Sequence, residues 1–229
     1  GAVAYTIFFV IWIVLMSIAA FYIALVVSTA LTAVLTYYLV KWPEWYVIDA
    51  AGILMSIGII GIFGISLSIL PTLVLLIALA VYDAISVYGT KHMIALADGV
   101  TSMKLPILLV IPRKRGYSYL EQKSLRKQLE EGGEREAMFM GLGDVIIPGV
   151  LVVSAFSFLN DEVVGGISSN LIVALGTVVG ALVGYALLMR FVLKGNAQAG
   201  LPLLNGGAIA GFLITYLLVY QDLSFGIAL

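Results

Sequence analysis

The sequence contains no cysteine and only one histidine, His92. The first absence excludes disulfide frameworks, thiol nucleophiles and thiolate-bound metals, and the second leaves no imidazole cluster, so neither a metal nor another cofactor is expected. Charge is almost as scarce. Only 11% of the 229 residues are Asp, Glu, Lys or Arg, whereas soluble domains carry about a quarter. Instead 62% are hydrophobic and the mean hydropathy is +1.12. Such a chain belongs in a bilayer as a multi-pass protein, with lipid and other membrane segments as its surroundings. A net charge of -1 argues against nucleic acid as a partner. The chain opens in an apolar run without an initiator Met, so residues ahead of Gly1, and others within loops, are expected.

What is present is a series of apolar runs, read as an all-α bundle. Residues 2 to 40 are just long enough for two short spans, expected to meet near Val27 to Thr29. Lys41-Trp42-Pro43-Glu44-Trp45-Tyr46 has the aromatic and charged character of a membrane surface, and a helix should follow to about Leu67. Asp49 falls near its start, where a carboxylate suits the helix dipole and takes a structural role. Pro71 should open the next span, to about Tyr88, and further spans are expected at about 137 to 159, 168 to 192 and 203 to 220. This divides the chain into an N-terminal bundle (1–90), a polar loop (91–136) and a C-terminal bundle (137–229). Gly58, Gly61 and Gly64, and again Gly176, Gly180 and Gly184, recur at helical spacing, which points to close helix packing rather than chemistry.

Charge placement orients the bundle. If the spans alternate and the long loop is cytosolic, all 12 Lys and Arg fall on the cytosolic side: Lys41, nine between Lys91 and Arg135, Arg190 and Lys194. The C-terminus then lies on the opposite side. His92 and the basic residues Arg113, Lys114, Arg115, Lys123, Arg126 and Lys127 are read as solvated anchors at that surface. Oligomeric state, a homo-oligomer included, is left open.

Two carboxylates stand where lipid-compatible residues are expected: Asp83 in Ala80-Val81-Tyr82-Asp83-Ala84 and Asp144 in Gly141-Leu142-Gly143-Asp144. A charge there costs roughly 2.5 to 3.5 kcal/mol even on the lenient scale, which makes an intramembrane Asp a functional candidate by default. Counting helical rise from Lys91 and from Arg135 puts each roughly 12 to 14 Å inside the cytosolic boundary. Pro202, eight residues past Lys194, comes to the same layer. Two carboxyls at one depth can share a proton, one acting as base towards water and the other as acid towards a carbonyl oxygen. Two buried Asp residues also suit a proton- or ion-coupled transporter, and a discontinuous helix before Pro202 would fit that too; no repeat of these features relates the two halves. A non-catalytic scaffold would leave both carboxylates unexplained. Leu105 to Ile111, apolar and β-branched but too short to span, could pair with an unwound substrate as an added strand, with Leu108 and Leu109 at its centre.

Tyr82-Asp83, Gly141-Leu142-Gly143-Asp144 and Gly200-Leu201-Pro202-Leu203-Leu204, in this order and each at a span, resemble the presenilin and signal peptide peptidase type of intramembrane aspartyl protease. Prepilin peptidases share Gly-x-Gly-Asp but not the other two motifs. The third motif reads Pro-Leu-Leu where the family typically has Pro-Ala-Leu. The resemblance covers about Ala50 to Gly211 and implies a presenilin-like helical bundle, of whose nine spans seven are visible. It implies hydrolysis of peptide bonds within transmembrane helices of substrate proteins, with Asp83 and Asp144 catalytic. Tyr82, Gly141, Leu142, Gly143, Pro202, Leu203 and Leu204 would then shape the site. The orientation above is that of presenilins, and the compactness suggests a microbial homologue.

Overall fold

The structure, a computed structural model, describes residues 1–90, 108–112, 117–119, 137–164, 166–192 and 199–221. Seven α-helices account for most of them: α1 (Ala2–Met16), α2 (Phe21–Lys41), α3 (Trp45–Ser66), α4 (Ile69–Ile85), α5 (Gly143–Phe158), α6 (Ser169–Val192) and α7 (Gly200–Tyr220). A π-helical turn, Ser86–Thr90, continues α4. Among the described residues five helices, counting α4 with that turn, are long and apolar enough to cross a membrane, while α1 and α5 are shorter apolar helices. At 1.5 Å per residue the 15 and 16 residues of these two reach only about 22 to 24 Å of the roughly 30 Å hydrocarbon layer.

The elements differ from expectation in three places. The break between the first two helices falls at residues 17–20, not at Val27 to Thr29. Ser17 ends α1 by turning its hydroxyl onto the Val14 carbonyl at 2.6 Å, and its neighbours on both sides are apolar, so neither Gly nor Pro announces the turn. Residues 137–141 are not helical either. They form strand β2 (Ala137–Gly141), antiparallel to β1 (Leu108–Pro112), with Leu108 opposite Gly141 and Val110 opposite Phe139. A run such as Ala-Met-Phe-Met-Gly is apolar in any conformation, and its choice depends on a partner 29 residues earlier, which no local pattern displays. The depth assigned to Asp144 by helical rise therefore fails, because the chain ahead of it is extended. Finally, α7 begins at Gly200 rather than at 203. A second, minimal sheet pairs β3 (Val163–Val164) with β4 (Ile167–Ser168).

The chain resolves into two compact units. One comprises Gly1–Ile59 and Met93–Leu142, the other Ile60–His92 and Gly143–Leu229. In the first, α1 and α2 pack as a hairpin, and Gly58 of α3 admits Val10 and Thr6 of α1. Ile48, Val110, Tyr119 and Ala137 are buried together there, with Phe139 against them. Burial pushes the Tyr119 phenol above its ordinary range.

In the second unit α4, α5, α6 and α7 bury Leu76, Leu151, Val173, Ala208 and Phe212 in one cluster. The α6–α7 contact explains the four-residue glycine spacing. A Cβ on Gly180 would fall on the Gly207 carbonyl oxygen, one on Gly207 on the Gly180 carbonyl, and one on Gly211 on the Gly176 carbonyl. Backbone meets backbone, which only glycine permits and which lipid favours because packing, not water exclusion, drives helix association there. The other stripe divides. Gly64 faces Val153 of α5, whereas a Cβ on Gly61 would meet nothing within 4 Å among the described residues, so Gly61 is not the packing position that its spacing suggests.

Candidate active site

Asp83 lies in the last turn of α4, at the negative end of its own helix dipole, and needs a donor from elsewhere. It finds one across the unit: the Leu201 backbone N–H, at the second position of α7, donates to Asp83 Oδ2 at 3.0 Å. The first turn of a helix has N–H groups without intrahelical acceptors. Here the N-cap is Ala199, extended at φ -67° and ψ 125°, which has no side chain to satisfy them. Pro202, the third helical residue, has no N–H to satisfy. Asp83 thus caps α7 in place of a local Ser or Asp.

Asp144 is the second residue of α5, at the favourable end of its helix, and is half-buried. Its carboxylate lies against Gly200, where a Cβ would stand 3.4 Å from Oδ2 and 3.7 Å from Cγ. The two carboxylates therefore meet successive residues of one helix turn, Gly200 and Leu201. Consecutive Cα atoms are only about 3.8 Å apart. One turn further along, Asn205 is fully buried and its Nδ2 donates to the Leu76 carbonyl of α4 at 2.9 Å, tying α7 to the helix that carries Asp83. Ser154 of α5 donates to the Leu67 carbonyl at 2.8 Å, just ahead of α4. Each helix that supplies a carboxylate is thus pinned by a polar side chain as well as by packing.

The other expected positions divide. Gly141 is in β2 and Leu142, buried, forms the turn after it, so neither is a residue of a helix; Gly143 opens α5, and a Cβ there would meet only Ile147 at 3.9 Å among the described residues. Pro202 is half-buried in the first turn of α7, and Gly200 and Leu201 before it belong to the same helix. Leu203 and Leu204 lie against Gly184 of α6. Tyr82 is 69% exposed among the described residues. Leu108 and Leu109 are in β1, as the β-branched pattern suggests, though Leu105 to Ile107 lie outside the described residues. So do His92, the basic residues of the loop and Lys194.

Sequence reasoning missed Gly200 and Leu201 as contact residues because what they offer is backbone. Their visible signal was their place in the Gly200-Leu201-Pro202-Leu203-Leu204 motif. It also missed Asp49's partner. Asp49 is the fifth residue of α3, beyond the first turn, and its Oδ1 accepts the Val110 N–H at 2.8 Å instead of capping its own helix.

Two carboxylates, Asp83 and Asp144, thus approach the first turn of one helix inside an apolar helical bundle. Residues 1–220 match the family described as signal-peptide peptidase, presenilin aspartyl protease, and the chain belongs to that family. Two structures of a presenilin family intramembrane aspartate protease are similar to it. The one in space group C222 is 39% identical over 93% of this chain and 70% of its own, with a TM-score of 0.60. The one in space group P2 is 41% identical over 95% and 70%, with the same TM-score. No curated protein matches. The protein is an intramembrane aspartyl protease in a presenilin-like helical fold, acting on transmembrane substrates in the bilayer, and the transporter reading has no support.

Proposed function

We propose that the chain is an endopeptidase of the Gly-x-Gly-Asp type in which Asp83 and Asp144 form the catalytic pair. The supporting observation is the convergence of both carboxylates on Gly200 and Leu201. With one proton between them, the ionised carboxylate takes a proton from water as its oxygen attacks the scissile carbonyl, and the protonated one donates to the carbonyl oxygen. Collapse of the tetrahedral diol returns a proton to the departing amine, breaks the C–N bond and restores the shared proton. The titration belongs to the pair and not to either residue.

A peptide bond within a helix is shielded by its own hydrogen bonds, so the substrate must unwind before it reacts. The β1–β2 sheet offers replacement bonds. Because the Val110 N–H is taken by Asp49, the Val110–Phe139 pair is of the non-hydrogen-bonded kind and the outer edge of β1 is already occupied there. Pro112 has no N–H to add. An incoming strand therefore joins the β2 edge, with Leu108 and Leu109 supporting it from the neighbouring strand. That strand ends at Gly141, three residues before Asp144. Gly143 and the Pro202-Leu203-Leu204 turn, in the unit that carries both carboxylates, shape the approach, and Tyr82 borders it from α4. The long loop 91–136 faces the cytosol and the C-terminus the other side, since this places every Lys and Arg on one surface.

The test is to incubate purified protein in detergent or liposomes with a transmembrane peptide, and to identify the products by mass. Cleavage should be blocked by an aspartyl transition-state analogue, which binds the carboxylate pair more tightly than substrate. Intact peptide, or cleavage indifferent to the analogue, would overturn the assignment.

A further inference from the structure

A third carboxylate, Asp49, sits half-buried inside an apolar helix and takes no part in the chemistry above. Such a residue is expensive in lipid and is retained where a fixed partner compensates it. Its partner is the Val110 N–H at 2.8 Å, 61 residues away. Two further contacts flank it on α3. Just before the helix, Glu44 accepts the Ser118 hydroxyl at 2.7 Å and the Tyr119 N–H at 3.0 Å through its two oxygens. One turn after Asp49, Gly52 leaves the space that Leu142 fills, since a Cβ there would stand 3.2 Å from Leu142 Cδ1. Asp49 and Gly52 are three residues apart and so share a helix face.

Two of these contacts reach the stretch that leads into Asp144. Asp49 holds β1, β1 holds β2 through the ladder, and Leu142 is two residues ahead of the carboxylate. A two-stranded sheet is marginal by itself and needs an anchor to have a fixed position. A bond from a backbone N–H to an ionised carboxylate is among the stronger anchors available. We infer that Asp49 and Gly52 are positioning residues: they seat on α3 the β1–β2 sheet and Leu142, the residue two ahead of Asp144 in the chain. The inference deepens the protease reading and rests on it, but the seat itself is a property of the folded chain that can be measured without catalysis.

The experiment compares wild type, Asp49→Asn, Asp49→Leu and Gly52→Leu in the full chain, with two readouts. The first is kcat and KM for a quenched-fluorescent transmembrane peptide. The second is amide hydrogen exchange in 108–112 and 137–142, with protection of α6 and α7 as the control that each variant is folded. Displacing a catalytic group by about an ångström can cost on the order of a hundredfold. Asp49→Leu should thus lose about ten- to a hundredfold in kcat and exchange faster in both strands. Asp49→Asn keeps a carbonyl acceptor and should stay within about fivefold of wild type on both readouts. Gly52→Leu should lower kcat while leaving exchange at Val110 unchanged. The inference is overturned if Asp49→Leu exchanges like wild type, if it exchanges faster with kcat unchanged, or if Asp49→Asn falls as far as Asp49→Leu. Should wild type cleave no peptide, the protease reading fails, and the exchange contrast between the two Asp49 variants still decides whether the seat exists.

Discussion

Along α7, glycine is used in two different ways within twelve residues. At Gly207 and Gly211 the missing side chain lets α6 approach until a Cβ would coincide with a carbonyl oxygen. At Gly200 a Cβ would stand at ordinary contact distance, 3.4 Å, from Asp144 Oδ2. The middle of the helix is a packing surface with no spare volume, whereas its first turn offers backbone donors and leaves room beside a carboxylate. The same residue type therefore lets two helices meet in one place and leaves room beside a carboxylate in the other. Substitutions can tell the two apart.

The largest effect should come from the carboxylates that the first turn of α7 receives. Asp83→Asn and Asp144→Asn should each lower cleavage by about a thousandfold or to background, because one carboxyl cannot perform both proton transfers. The double variant should be no worse than either single one, as expected of groups acting as a unit. Both should keep the helical fold by circular dichroism. In the middle of the helix the effect passes to stability. Gly207→Leu forces α6 and α7 apart and should destabilise the protein by about 3 kcal/mol or more, seen as a lower thermal midpoint. Activity would then be lost only in proportion to unfolding.

Gly200→Ala sharpens the contrast. The methyl group fits, so the thermal midpoint should hold, while the space beside Asp144 is filled and cleavage should fall by about tenfold. Equal losses of stability and activity in Gly200→Ala would erase the distinction between the two ends of α7. The smallest effect is expected at Gly61, where a methyl group meets nothing among the described residues. Gly61→Ala should leave cleavage unchanged and raise stability by up to about 1 kcal/mol through helix propensity.

Much of the candidate site was legible because charge in an apolar span has few explanations. Asp83 and Asp144 stood out from their neighbours without any structure, and Gly176, Gly180 and Gly184 announced a close helix contact by spacing alone. What was not legible depended on partners distant in sequence. The Val110 N–H bonds to a side chain 61 residues away, and Leu201 reaches Asp83 across 118. Neither Val110 nor Leu201 has a side chain that hints at this, since both act through backbone. The turn at residues 17–20 was hidden for a different reason, being as apolar as the helices it separates. Gly61 shows the converse error. Its three-residue spacing matches Gly58 and Gly64, yet spacing fixes only the face of a helix and not whether another element covers it.

The central claim is that one proton is shared by two carboxylates at the start of α7, without a metal. Its most direct test is the pH dependence of kcat/KM for a transmembrane peptide, measured with EDTA present and over a range in which the protein stays folded. Activity should fall at low pH, when a second proton reaches the pair, and at high pH, when the shared proton leaves, giving a bell. Addition of the chelator should change nothing. A rate that rises steadily into alkali, or one that EDTA abolishes, would contradict the aspartyl pair as the catalyst.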